Sequence, residues 1–75
     1  MSGKLPSLTG DDVVRALVKT GFQVARIRGS HRVMQHDDGR TTVVPVHSGE
    51  TIGPGLMSKI LRDCDLDREQ FRGLL

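Results

Sequence analysis

Tryptophan and tyrosine are absent from this sequence, and two phenylalanines, Phe22 and Phe71, supply all of its aromatic content. Readers of single-stranded nucleic acid that stack bases need a platform of exposed rings. Both phenylalanines stand at core or staple positions, which argues against RRM-like and cold-shock-like architectures. The single cysteine, Cys64, permits no intramolecular disulfide and no metal-binding cysteine pair. It reads as a small buried hydrophobe, consistent with a reducing, cytoplasmic setting. No apolar run approaches the length of a membrane span, and the first residues lack the apolar stretch of a signal peptide. Gly53-Pro54-Gly55 lacks the Lys-Ser or Lys-Thr that completes a phosphate-binding loop. Ser30 and Ser48 occupy no nucleophile-elbow context. The histidines at 31, 36 and 47 match no ligand spacing, so neither a metal nor a cofactor is expected.

What is present is a short, mildly basic chain. Its 75 residues leave room for one core only. The net charge is +2 and the pI about 9.2, but the distribution says more than the total. Arg26-Ile27-Arg28-Gly29-Ser30-His31-Arg32 holds three arginines and no acid, whereas the acids gather at Asp11-Asp12, Asp37-Asp38 and the last third. Such local concentration of cations suits a polyanionic partner.

The order of elements can be read from start, stop and period signals. Residues 1–8 are expected to form a flexible lead-in, with a single domain over 9–75. Thr9 is placed as an N-cap with Asp12 at the third helical position, and Leu8 and Val13 are spaced as a hydrophobic staple. A helix is predicted over about 10–20, stopped by Gly21. Phe22 to Ile27 is rich in strand formers, with Phe22 and Val24 expected to share a face with Arg26 and Arg28. Gly29-Ser30 turns the chain into a second strand, His31 to His36. Asp38-Gly39 then marks a hairpin into a third, Thr41 to Val46, with Pro45 implying an edge or a strand end. Gly53-Pro54 opens a second helix whose stripe is Leu56, Met57, Ile60, Leu61 and Cys64. Asp67 with Gln70, and Leu66 with Phe71, predict a short terminal helix near 68–74. Three strands between helices point to an α+β sandwich with the helices on one face of an antiparallel sheet, the layout of double-stranded-RNA-binding-like domains.

Chemistry, if there is any, belongs to the corner at 26–32. Metal-free RNA cleavage needs a base for the 2′-hydroxyl proton, an acid for the leaving oxygen and cations for the developing phosphorane charge. His31 suits either proton-transfer role, and Arg26, Arg28 and Arg32 suit phosphate. Gly29 and Ser30 shape the corner. Lys59 and Arg62 are further cations on the second helix. His47 is the leading candidate for a complementary acid, with Arg28 or a water as alternatives. His36, beside Asp37-Asp38, reads as a turn-flanking side chain.

A whole-chain pattern now emerges. Lys19-Thr20-Gly21-Phe22, Arg26-Ile27-Arg28-Gly29-Ser30-His31, Asp38 to His47, and Gly55-Leu56-Met57-Ser58-Lys59-Ile60-Leu61 together resemble the HicA-type (YcfA-like) toxins over about residues 9–71. The resemblance implies a small double-stranded-RNA-binding-like fold acting as an mRNA interferase. Such an enzyme is a metal-independent endoribonuclease, neutralised by a cognate HicB-type antitoxin. It places the catalytic role on His31; the residues themselves assign RNA binding to Arg26, Arg28, Gly29, Ser30, Arg32 and Lys59. Leu56, Ser58, Cys64 and Asp65 depart from the family pattern, where threonine, arginine, alanine and glycine respectively are common. A non-catalytic RNA-binding module using the same basic face is the alternative.

Overall fold

The structure, a computed structural model, describes residues 5–75. Its elements are α1 (Gly10–Lys19), β1 (Phe22–Arg28), β2 (His31–His36), β3 (Thr41–Pro45), α2 (Pro54–Cys64) and α3 (Arg68–Arg72), the order expected from the sequence. The strands form one antiparallel sheet with β2 in the centre, and Pro45 ends an edge strand, where its missing N–H costs no ladder bond.

Local signals act as the sequence suggests. The Thr9 hydroxyl accepts from the Asp12 amide at 3.2 Å, and the Asp12 carboxylate accepts from the Thr9 amide at 3.0 Å, closing a capping box. Pro54 stands at the start of α2 behind Gly53. Asp67 and Gln70 form the second capping box. Asp65 ends α2 in the left-handed region at φ 55°, the conformation that glycine adopts most readily. The Leu66 amide then returns to the Leu61 carbonyl, as in a Schellman cap.

The core lies between the sheet and the helices. Val13 and Leu17 from α1, Phe22, Met34 and Val44 from the strands, Ile60 and Cys64 from α2, and Phe71 from α3 are fully buried. Leu8 is also buried and Leu5 packs against the same cluster, so these two residues of the expected lead-in contribute to the core. Residues 1–4 of that lead-in lie outside the described residues. At the start of α1, Gly10 packs so closely on the end of β3 that a Cβ there would overlap the Pro45 carbonyl oxygen.

One expectation about β1 is corrected. Phe22 pairs with His36, Gln23 with Gln35 and Val24 with Met34, but beyond Val24 the register slips by one residue, so that Arg26 pairs with Val33 and Arg28 with His31. Such a β-bulge adds a residue to one strand and inverts the facing of every side chain beyond it. Met34 is fully buried while its neighbour Val33 lies on the other face. Phe22 and Val24 therefore face the helices, and Arg26 and Arg28 face away from them. Alternation without a bulge would have put all four on one side.

Candidate active site

Gly29 and Ser30 connect β1 to β2 in two residues, and Gly29 adopts φ 56° to do so. This tight turn sets Arg28 directly opposite His31, and His31 opposite Pro45 of β3. The next row across the open face is Arg26, Val33 and Val43. His31, Arg26 and Arg28 are all exposed. One imidazole and two guanidinium groups thus share the face of the sheet that no helix covers.

The segment after β3 is drawn to the same corner. The Val46 amide donates to the Ser30 carbonyl at 2.6 Å, extending the ladder past Pro45. The Ser30 hydroxyl lies 3.2 Å from His47 Nε2. His47 is therefore anchored to the residue that precedes His31. Sequence reasoning named both Ser30 and His47 but not their contact, which joins residues 17 positions apart. The clue lay in register: the Asp38-Gly39 hairpin sets His31 against Pro45, and His47 lies two residues further on.

Other candidates sit elsewhere. Arg32 pairs across the sheet with Ile27 and Val44, on the helical side, and its guanidinium curls back to donate to the Gly29 carbonyl at 3.3 Å. That contact steadies the turn from behind. Lys59 lies on α2, where its ammonium donates to Asp63 at 2.8 Å. The Thr42 hydroxyl donates to the same carboxylate oxygen from the inner face of the sheet. Lys59 is thus tied to the helical layer, away from His31. His36 packs edge-on against Phe22, with ring centroids 5.1 Å apart, and its Nδ1 accepts from the Asp38 amide.

The remaining ionisable groups with altered titration serve the scaffold. The Asp38 carboxyl is held below its ordinary range chiefly by hydrogen bonds from the Arg40 side chain and amide. Hydrogen bonding from Lys59, with a smaller contribution from Thr42, lowers Asp63. Burial pushes the Cys64 thiol up to about 11. Arg40 also donates to the Cys64 carbonyl and stacks over the Phe22 ring at 5.1 Å, coupling the β2–β3 hairpin to the end of α2.

Among the described residues, no helix is long and apolar enough to cross a membrane, and no group of three or more His, Cys, Asp or Glu side chains is placed to hold a metal ion. No curated protein matches the chain. Residues 10–66, from the first residue of α1 to just beyond α2, match the family model described as the HicA toxin of bacterial toxin–antitoxin systems. With the order of elements and the Gly-Ser-His corner already in place, a match over that span shows that the chain belongs to the HicA toxin family.

Proposed function

We propose that the toxin is a metal-independent endoribonuclease, an mRNA interferase acting in the cytoplasm, and that a HicB-type antitoxin neutralises it. The observation that carries this reading is the row formed by Arg28 and His31, with His47 anchored beside it through Ser30. Arg28 and Arg26 hold the phosphodiester through planar, charge-assisted donors. His31 takes the proton of the 2′-hydroxyl as its oxygen attacks phosphorus. The P–O5′ bond breaks, and His47 gives a proton to the departing oxygen. The products are a 2′,3′-cyclic phosphate and a 5′-hydroxyl end, and the guanidinium groups offset the charge that builds on phosphorus between them. The antitoxin covers this cationic face and stabilises the small fold by mass action.

Incubation of purified protein with a long RNA, with and without EDTA, tests the reading. Cleavage is expected in both samples and is expected to be lost in His31→Ala, whose exposed position spares the fold; antitoxin binding is expected to be kept as well. Parent-rate cleavage by His31→Ala would remove that residue from catalysis. RNA bound in a salt-sensitive way but never cut would identify a binding module instead.

A further inference from the structure

Beyond the two rows that carry His31 and the arginines, the same open face continues into a third: Gln23 of β1 directly opposite Gln35 of β2, with Thr41 opposite Gln35 on β3. Both glutamines are exposed, and their amides make no hydrogen bond within the described residues. Together with Ala25, the bulge residue, His36 at the end of β2, and the turn residues Asp37 and Gly39, they border a shallow depression of about 280 Å³. Ala25 adds no bulk beyond its methyl group to the lining that the two glutamines share.

Resting on the ribonuclease reading above, we infer that Gln23 and Gln35 form a base-recognition subsite that favours adenine in the RNA strand. The placement argues for it. His31 and Gln35 are four residues apart on one straight strand, ~13 Å at the usual rise. That distance covers about four stacked base steps of ~3.4 Å, fewer in a stretched strand. On the neighbouring strand Arg28 stands level with His31 and Arg26 level with Val33, between these ends, and the two provide the positive track that a phosphate backbone requires. Val33 and Val43 provide apolar contact beneath the intervening nucleotides. An RNA strand lying on this track brings a base a few nucleotides from the scissile phosphate over the paired amides.

The chemistry selects the base. A carboxamide offers one acceptor and two donors in a plane, matching the adjacent donor and acceptor of adenine, for which Gln and Asn are the usual partners. Single-stranded RNA leaves those base edges free. Arginine and lysine, the common partners of guanine, are missing from this row and from the lining of the depression, and the one imidazole there, His36, is held against Phe22 and the Asp38 amide.

The experiment maps every cut made in a long RNA of mixed sequence by the parent and by the double variant Gln23→Ala/Gln35→Ala. The parent is expected to show adenine enriched at one fixed offset from the cut. The variant is expected to lose that enrichment while still cutting the RNA. In a short oligonucleotide, replacing that adenine with purine riboside, which lacks the 6-amino group, is expected to slow the parent about tenfold and leave the variant unaffected. Equal enrichment in parent and variant, or no fixed-offset adenine in the parent, overturns the subsite and leaves the ribonuclease intact. A parent that cuts no RNA overturns both.

Discussion

The Ser30 hydroxyl and His47 Nε2, 3.2 Å apart, close a bond between the turn that presents His31 and the segment that leaves β3. An imidazole at the end of an edge strand would otherwise sample many rotamers. The serine restricts it to the corner that presents His31, as the proposed role of His47 requires. A single exposed hydrogen bond is worth ~1 kcal/mol, a few-fold to tenfold in rate.

Ser30→Ala is therefore expected to lower kcat about three- to tenfold with little change in KM, and to alter the pH–rate profile. Ser30→Thr is expected to restore both. In a double-mutant cycle with His47→Gln, the two losses should fall well short of additive. Full additivity would mean that the hydroxyl does not act through His47.

Gly10→Ala is expected to destabilise the protein by ~1–3 kcal/mol, the usual range for overpacking. The added methyl would meet backbone, the Pro45 carbonyl, rather than a side chain that can swing aside. Denaturant unfolding measures the loss. Gly53→Ala, at a position with open space around the added carbon, serves as the comparison.

Much of this fold was legible because its signals are local. Capping boxes at Thr9 and Asp67, proline at the start of α2 and Asp-Gly in the hairpin each fix a boundary through chemistry within four residues. The site was legible only in part. His31 stands out beside Gly29-Ser30, but which arginines share its face depends on a bulge at Ala25 that no residue type announces. Counting alternation without that extra residue groups Phe22 with the arginines. Arg32 and Lys59 looked equivalent to Arg28 by charge. Strand parity and an Asp63 partner 2.8 Å from the Lys59 ammonium set them apart, and both are properties of tertiary structure.

Asp65→Gly is expected to raise stability by ~0.5–1 kcal/mol. Asp65 holds φ 55°, where a β-carbon is unfavourable, and its carboxylate sits at the negative end of the α2 dipole. Its proximity to Arg40 offsets part of this. For a chain of this size, the gain corresponds to a rise in Tm of a few degrees.

Stability is expected to fall at both ends of the pH range. Asp12, Asp38 and Asp63 titrate lower in the folded chain than in the unfolded one. Their contribution is present above the unfolded pKa near 3.8 and is lost as pH falls through the folded values. Cys64 shifts the other way: its thiol ionises near 9.0 when unfolded and near 11 when buried. Unfolding thus becomes easier as pH rises through that window, and Cys64→Ala should flatten the alkaline slope. A thiol reagent at neutral pH should label native protein far more slowly than protein in denaturant.

The bulge in β1 also bears on how the molecule behaves in company. β1 is an outer strand, and its Val24 and Ile27 are 41% and 60% exposed on the helical side. A flat edge with those side chains would be a template for a second copy to pair upon, the route by which small sheets aggregate. The extra residue between Val24 and Arg26 breaks the regular spacing of amides and carbonyls along that edge. The irregularity that turns two arginines toward the open face thus also leaves β1 a poorer template for strand pairing with a second copy.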